Sequence, residues 1–323
     1  MEALPRGSNF VRAKMLWELG LQVAGNPLTP YGGDRDMCIT VGNGSGTAFR
    51  PALRMATGSP ILAQAVAAGT LDMAVVNPSA LLTQAYRGVG LFPEALPLRV
   101  VAVYPTWDWF AFVLHPRTGI KSLHDVKKQR YPLHVSVKED VTHSTRVFID
   151  QVLAFYGFSL AELESWGGKL NLTGSPTDPR RMEALARGEL DAIFDEGLPR
   201  WFDEALRLGM VPHELEPEAF DYLATLGWKK DIVPASEFTH LRQDYAGINY
   251  SGWPLYARAD LPDQLVYDVC AAFVARQSEI PWETSGYKGD IAQIGRDTFS
   301  TPIDVPLHPG AERFYRDFEA RSK

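Results

Sequence analysis

The chain is poor in cysteine. Cys38 and Cys270 are its only two in 323 residues, which is too few for a disulfide framework or a four-thiolate zinc site. Cys38, inside Met-Cys-Ile-Thr-Val, reads as a buried strand residue. No uninterrupted apolar run reaches the ~18 residues that crossing a bilayer requires. Positive charge is not in excess either: 32 Lys and Arg against 39 Asp and Glu leave a net charge of -7. Without a basic field to replace phosphate counterions, nucleic acid and anionic membrane surfaces are not expected partners. The seven histidines include no pair at helical ligand spacing and no HExxH, so no metal site is expected. No GxSxG elbow is present, and Gly44-Ser45-Gly46 is the nearest fragment. No cofactor is expected. Met1–Gly25 scatters Arg6, Arg12, Lys14 and Glu18 rather than ordering a basic, an apolar and a small-residue region. Read literally, the missing secretory signal gives a cytoplasmic protein.

What is present is a repeating unit: a short apolar strand, a polar or Gly-rich turn, then an amphipathic helix. Strands are expected at Met37–Gly42, Leu71–Val76, Leu98–Val103, Phe110–Leu114, Leu133–Val137 and Leu190–Phe194. Helices are expected at Val11–Val23, Pro60–Ala68, Ala80–Tyr86, Thr145–Tyr156, Asp178–Arg187 and Leu198–Leu208, with a turn and short helix over Gly119–Val126. Such alternation gives an α/β fold with mostly parallel sheets and helices on their faces. Two phrases match: Ala67-Ala68-Gly69-Thr70-Leu71-Asp72-Met73-Ala74 and Ala186-Arg187-Gly188-Glu189-Leu190-Asp191-Ala192-Ile193. Either any helix–Gly–strand junction looks like this, or each of two equivalent lobes carries one. In the second case ligand sits in a cleft at the strand carboxyl ends.

Gly69–Ser79 with Ala85-Tyr86-Arg87-Gly88, the strand at Val100–Tyr104, Phe112-Val113-Leu114, Gly119–Lys128 and Met182–Phe194 together resemble the TAXI-type solute receptors that feed TRAP transporters, across roughly residues 35–275. The resemblance implies a two-lobed type II periplasmic-binding-protein fold with a cleft and hinge. Lobe 1 would be residues 1–114 plus 250–323 and lobe 2 residues 115–249, with Gly119–Lys128 as a lobe crossing. It also implies a small carboxylate or amino acid as ligand, a membrane transporter subunit as partner, and no catalysis. Family members open with a strand, a Gly-rich loop and a helix. Here Leu4–Phe10 takes the place of that loop, so the first strand is absent or cut short. An upstream leader missing from this chain would make the protein periplasmic.

The candidate ligand contacts are Ser8 and Asn9 in that loop; Asn43, Ser45 and Thr47 in the Gly-rich turn; Asn77 and Ser79 after a buried strand; Tyr104; His143, Ser144, Thr145 and Arg146 at a helix N-terminus; and Glu196. The Gly42–Thr47 turn lacks the Lys of a P-loop and does not fit a dinucleotide fingerprint. Ser79 also suits a helix cap. Free N–H groups and the dipole at Thr142–Arg146 favour an anion, and Arg146 can pair bidentately with a carboxylate or point to solvent. Tyr104, Trp107, Trp109, Tyr250 and Trp253 either stack on ligand or pack a hinge. Asp195-Glu196 suits a ligand amine, the dipole of the following helix, or an acid–base pair with His143. That last option gives the alternative, a cytoplasmic enzyme such as an aromatic-acid decarboxylase on the same fold.

Overall fold

The computed structural model describes residues 8–24, 37–42, 52–58, 60–284 and 286–321. The chain begins with α1 (Ser8–Ala24), β1 (Met37–Gly42), β2 (Ala52–Gly58), α2 (Leu62–Ala67), β3 (Met73–Val76), α3 (Ser79–Arg87) and β4 (Leu98–Tyr104). It continues through β5 (Trp109–Leu114), α4 (Leu123–Gln129), β6 (His134–Lys138), α5 (Ser144–Phe155), α6 (Leu160–Ser165), β7 (Lys169–Thr173), α7 (Pro179–Ala186) and β8 (Ala192–Asp195). Next come α8 (Phe202–Arg207), β9 (Val211–Pro212), α9 (Pro217–Thr225), β10 (Lys229–Val233) and β11 (Tyr245–Asn249). The remainder is β12 (Trp253–Arg258), α10 (Asp263–Ala275), β13 (Glu283–Thr284), β14 (Tyr287–Lys288) and α11 (Pro309–Arg321).

Two large sheets form, ordered β1-β2-β3-β12-β4 and β10-β11-β5-β8-β6-β7, with β9 also on β5. The fold is α/β, but both sheets are mixed rather than mostly parallel. β2 with β3, and β6 with β7 and β8, run parallel, whereas β12 opposes β3 and β4 and β5 opposes β8, β9 and β11. The cause is connectivity. β3, β4, β6, β7 and β8, each reached through a helix, run toward the edge where the two sheets meet, while β5 and β12 leave directly from that edge and so run against their neighbours.

The chain passes between the sheets at 105–108 and returns at 250–252. The two crossings are tied together. Asp108 N–H donates to Ser251 Oγ (2.8 Å), which donates to the Asp108 carbonyl (3.0 Å). Tyr250 N–H donates to that same carbonyl (3.0 Å), and Gly252 N–H to Thr106 Oγ1 (2.6 Å). A third stretch lies over them: Thr106 N–H donates to Ser300 O, and Asn249 Nδ2 to Phe299 O. One hydrophobic core continues across both sheets, including Leu81 and Leu82 of α3, Phe148 of α5 and Trp228. At its edge Gln84 and Gln151 exchange amide hydrogen bonds of 3.1 and 3.0 Å, and Trp228 Nε1 donates to Gln151 (2.7 Å).

Each matched phrase falls in a different sheet, as the two-lobe alternative requires. Gly69 and Gly188 take φ of +75° and +68° at the ends of α2 and α7, where a left-handed residue stops the helix and only glycine avoids the Cβ clash. The aspartates that follow do equivalent work. Asp72 Oδ2 accepts the N–H of Arg54 (2.7 Å) and its own N–H donates to the Arg54 carbonyl (2.9 Å). Asp191 Oδ2 accepts from His134 N–H (3.1 Å) and its N–H donates to the His134 carbonyl (2.8 Å). Each pair aligns a strand with its parallel neighbour.

Several expectations change. The strand expected to be absent or cut short ahead of Leu4 falls outside the described residues, while β2 supplies a strand parallel to β3. α1 starts at Ser8, which puts Ser8 and Asn9 in a helix rather than a loop. Residues 4–7 and the turn carrying Asn43, Ser45 and Thr47 lie outside the described residues. Gly119–Lys128 joins β5 to β6 inside one sheet and is not a crossing. Trp109–Leu114, expected in lobe 1, pairs with β8, β9 and β11 of the second sheet. Cys38 is exposed, because β1 is an edge strand.

Candidate functional site

A cavity of about 450 Å³ opens where the carboxyl ends of β3, β6, β7 and β8 face the first crossing. Asn77 follows β3, and Thr106, Trp107 and Asp108 form the crossing. Lys138 ends β6 and His143 caps α5. Gly174–Thr177 link β7 to α7, and Glu196, Gly197 and Arg200 follow β8. Trp253 and Thr284 complete the wall. A larger groove of about 720 Å³ lies elsewhere, lined by residues 206–214 and 239–245 of the second sheet's connections. Volume favours that groove, but only the smaller cavity draws on both sheets and sits at strand carboxyl ends, where α/β folds bind ligands.

The cavity floor is a buried ionic cluster. Lys138 Nζ lies 3.4 Å from Glu196 Oε1 and 3.8 Å from Asp195 Oδ2. Arg181, fully buried, holds Asp195 Oδ2 at 2.5 Å and donates to Ser136 Oγ (2.9 Å), Thr173 Oγ1 (2.8 Å) and the Pro176 carbonyl (3.3 Å). Burial raises the Asp195 carboxyl above its ordinary range, outweighing the pull of Arg181 and Lys138. Burial and the neighbouring Glu196 charge push Asp108 well above that range, and the two carboxyls face each other in a hydrogen bond. Burial pushes Glu196 up too, but Lys138 and the hydrogen bond with Asp108 bring it below its usual value. Lys138 and Arg181 thus stand as the cations among three carboxyls, Asp108, Asp195 and Glu196. Asp108 also accepts from Gly197 N–H (2.9 Å), joining the crossing to the β8 turn.

At the rim, His143 Nδ1 accepts from Thr145 N–H (3.1 Å), which leaves Nε2 to carry the ring proton. Arg200 is exposed at the rim with no carboxylate partner among the described residues. The N-terminal amides of α5 add partial positive charge.

Of the thirteen candidate residues, the cavity wall unites Asn77, His143 and Glu196. Ser79 is one residue inside α3 and does not cap it; its hydroxyl donates to the Gly252 carbonyl (3.3 Å) beside the return crossing. Tyr104 is sandwiched between Trp253 (5.3 Å) and Trp282 (5.5 Å) and donates to the Pro281 carbonyl, away from the cavity. Ser144 and Thr145 are buried in the first turn of α5, where both hydroxyls face the buried Tyr250. Arg146 turns back to donate to the Lys138 carbonyl (2.9 Å). Asp195-Glu196 does not serve a helix dipole: α8 starts only at Phe202. Trp109 packs on Phe299 and donates to Asp231. Asp108, Lys138, Arg181 and Arg200 are absent from the sequence-derived set. The only sequence signal for Lys138 is its place at the end of the apolar alternation His134–Lys138. Among the described residues no His, Cys, Asp and Glu cluster could hold a metal ion, and no helix is long and apolar enough to cross a membrane.

No protein-family model matches the chain. Solved structures with partial likeness include the alkanesulfonate-binding protein SsuA of Xanthomonas axonopodis pv. citri bound to MOPS. It is 18% identical over 49% of this chain and 47% of that one, with a TM-score of 0.27. The periplasmic aliphatic sulphonate binding protein SsuA of Escherichia coli is 16% identical over 68% and 57%, with a TM-score of 0.30. PhnD1 of Prochlorococcus marinus (MIT 9301), in complex with methylphosphonate, is 12% identical over 81% and 84%, with a TM-score of 0.35. The match thus spans about half the length of the first two proteins. At these TM-scores the likenesses carry no functional argument, which rests instead on the cavity and the crossings.

Proposed function

We propose that the protein is a solute receptor that captures a small anionic or zwitterionic organic molecule between two lobes, one around each large sheet. The carrying observation is a cavity walled by both sheets at strand carboxyl ends, beside two hydrogen-bonded crossings. In that arrangement a ligand bridging the walls selects the closed form by a rotation at Thr106–Asp108 and Tyr250–Gly252. The acidic group of the ligand faces His143, Arg200 and the α5 N-terminus, and Asn77 adds an amide. Delivery to a TRAP-type membrane transporter, and a periplasmic location, belong to the same proposal and rest on the TAXI resemblance. The carboxylates do not favour an enzyme: Asp195 and Glu196 are engaged by Arg181 and Lys138, and His143 Nδ1 is held by the α5 backbone. The test is thermal unfolding against a panel of amino acids, dicarboxylates and aromatic acids, with mass spectrometry of each stabilising mixture. A ligand recovered unchanged supports the receptor, since binding only the folded state raises stability by RT ln(1 + [L]/Kd). A ligand converted to product refutes it.

A further inference from the structure

Among the described residues the cavity wall contains no Leu, Ile, Val or Met. Its large apolar surfaces there are the indoles of Trp107 and Trp253, with Pro176 beside the floor. Both indoles are already backed by another ring. Trp107 stacks on Tyr287 of β14 at 5.5 Å and 20°, and Trp253 on Tyr104 at 5.3 Å and 18°. Tyr104 in turn stacks on Trp282 at 5.5 Å and 5°. These columns come from three parts of the chain and fix the planes of the indoles before any ligand arrives, so little side-chain entropy remains to be lost on stacking. An aliphatic body would find no complementary wall here, whereas a flat π-system would find two.

Tryptophan faces also attract cations, so charge decides which flat or charged group belongs. In the floor Lys138 and Arg181 are paired with Asp195 and Glu196, whereas Arg200 at the rim has no carboxylate partner among the described residues and lies with His143 and the N-terminus of α5 along the same wall. A cationic ligand would meet them unfavourably. An acid is attracted.

We infer that the ligand is an organic acid bearing an aromatic or heteroaromatic ring, its plane against Trp107 or Trp253 and its acidic group toward His143 and Arg200. The inference rests on the receptor reading and narrows it. Calorimetric titration of the full chain tests it with shape-matched acids: phenylacetate and indole-3-acetate against cyclohexylacetate and succinate, with choline as the cationic probe. The aromatic acids bind more tightly than cyclohexylacetate. Trp107→Leu and Trp253→Leu each weaken them by about 2- to 12-fold, the range of an aromatic contact beyond area burial, while Trp107→Phe restores most of the affinity. Thermal unfolding of each variant separates lost stacking from lost folding.

Cyclohexylacetate or succinate binding as tightly as the aromatic acids, unaffected by either Trp→Leu change, overturns the ligand class and leaves the receptor standing. Choline binding without any acid overturns the ligand class. Silence across the whole panel overturns both readings. An aromatic acid that binds and is consumed keeps the ligand class and removes the receptor.

Discussion

Arg181 offers the most direct quantitative test of the site's construction. It is fully buried and spans four segments of the second sheet: Ser136 of β6, Thr173 of β7, the Pro176 carbonyl and Asp195 of β8. Arg181→Met keeps most of the stem volume and removes the charge. Asp195 then faces only Lys138, at 3.8 Å. Removing one partner of a buried pair costs about 3–5 kcal/mol, a large fraction of the ~5–15 kcal/mol that folding typically yields. With an m-value of about 3 kcal/mol/M, the urea midpoint falls by roughly 1–2 M. The double change Arg181→Met with Asp195→Leu behaves differently. Replacing both partners of a buried pair by apolar groups is often neutral or better, and Lys138 still keeps Glu196 at 3.4 Å. The double variant therefore recovers most of the loss. Urea unfolding followed by tryptophan fluorescence reads all three proteins. A single variant within about 1 kcal/mol of the parent, or a double variant no better than the single, would refute the claim that uncompensated charge sets the cost.

Asp108 makes stability fall with rising pH. Its carboxyl is raised in the folded state by burial and by Glu196, so the folded protein holds a proton that the unfolded chain releases. The contribution is complete below the ordinary carboxylate range and is lost as pH climbs through the raised value. Asp108→Asn, which still accepts from Gly197, flattens that slope when urea midpoints are compared from pH 4 to 8. Gln151→Leu strands the buried Gln84 amide and the Trp228 indole N–H, at a cost of about 1–3 kcal/mol for a buried polar group left unpaired, measurable in the same denaturation assay. Gly188→Ala places a Cβ at φ +68° with its nearest neighbour, Arg117 Nη1, 3.6 Å away. Space is adequate there, so the loss is the left-handed backbone penalty alone, about 1–2 kcal/mol, and a value near zero would remove the role given to that glycine.

Continuous apolar runs made much of the architecture legible. β3, β4, β5, β6 and β8 bury nearly every residue, and such strands announce themselves by composition. β2, β7 and β10 interleave polar and half-buried positions, and their patterns fade into turns. Sheet order was invisible because β12 enters between β3 and β4 from far along the chain, and only long-range packing decides that. In the site, Asn77, His143 and Glu196 were legible from their places after strands. Lys138 and Arg181 were not, since an isolated cation in a sequence reads as solvated until its buried carboxylate is seen. Asp108 sits between two tryptophans that draw attention away from it, and the backing of those indoles by Tyr287 and Tyr104 joins segments distant in the chain.

The core that runs without a break from α3 to α5 and Trp228 has a consequence for how the molecule comes apart. Two lobes joined only by crossings would melt in separate steps and survive being cut from one another. Here Leu81 and Leu82 share their apolar surroundings with Phe148 and Trp228, so each half supplies part of the other's interior. Losing one half would expose the remaining half to water on its packed side. The two sheets accordingly form one cooperative unit that denatures in a single calorimetric transition, and opening the cavity is confined to the side away from that shared interior.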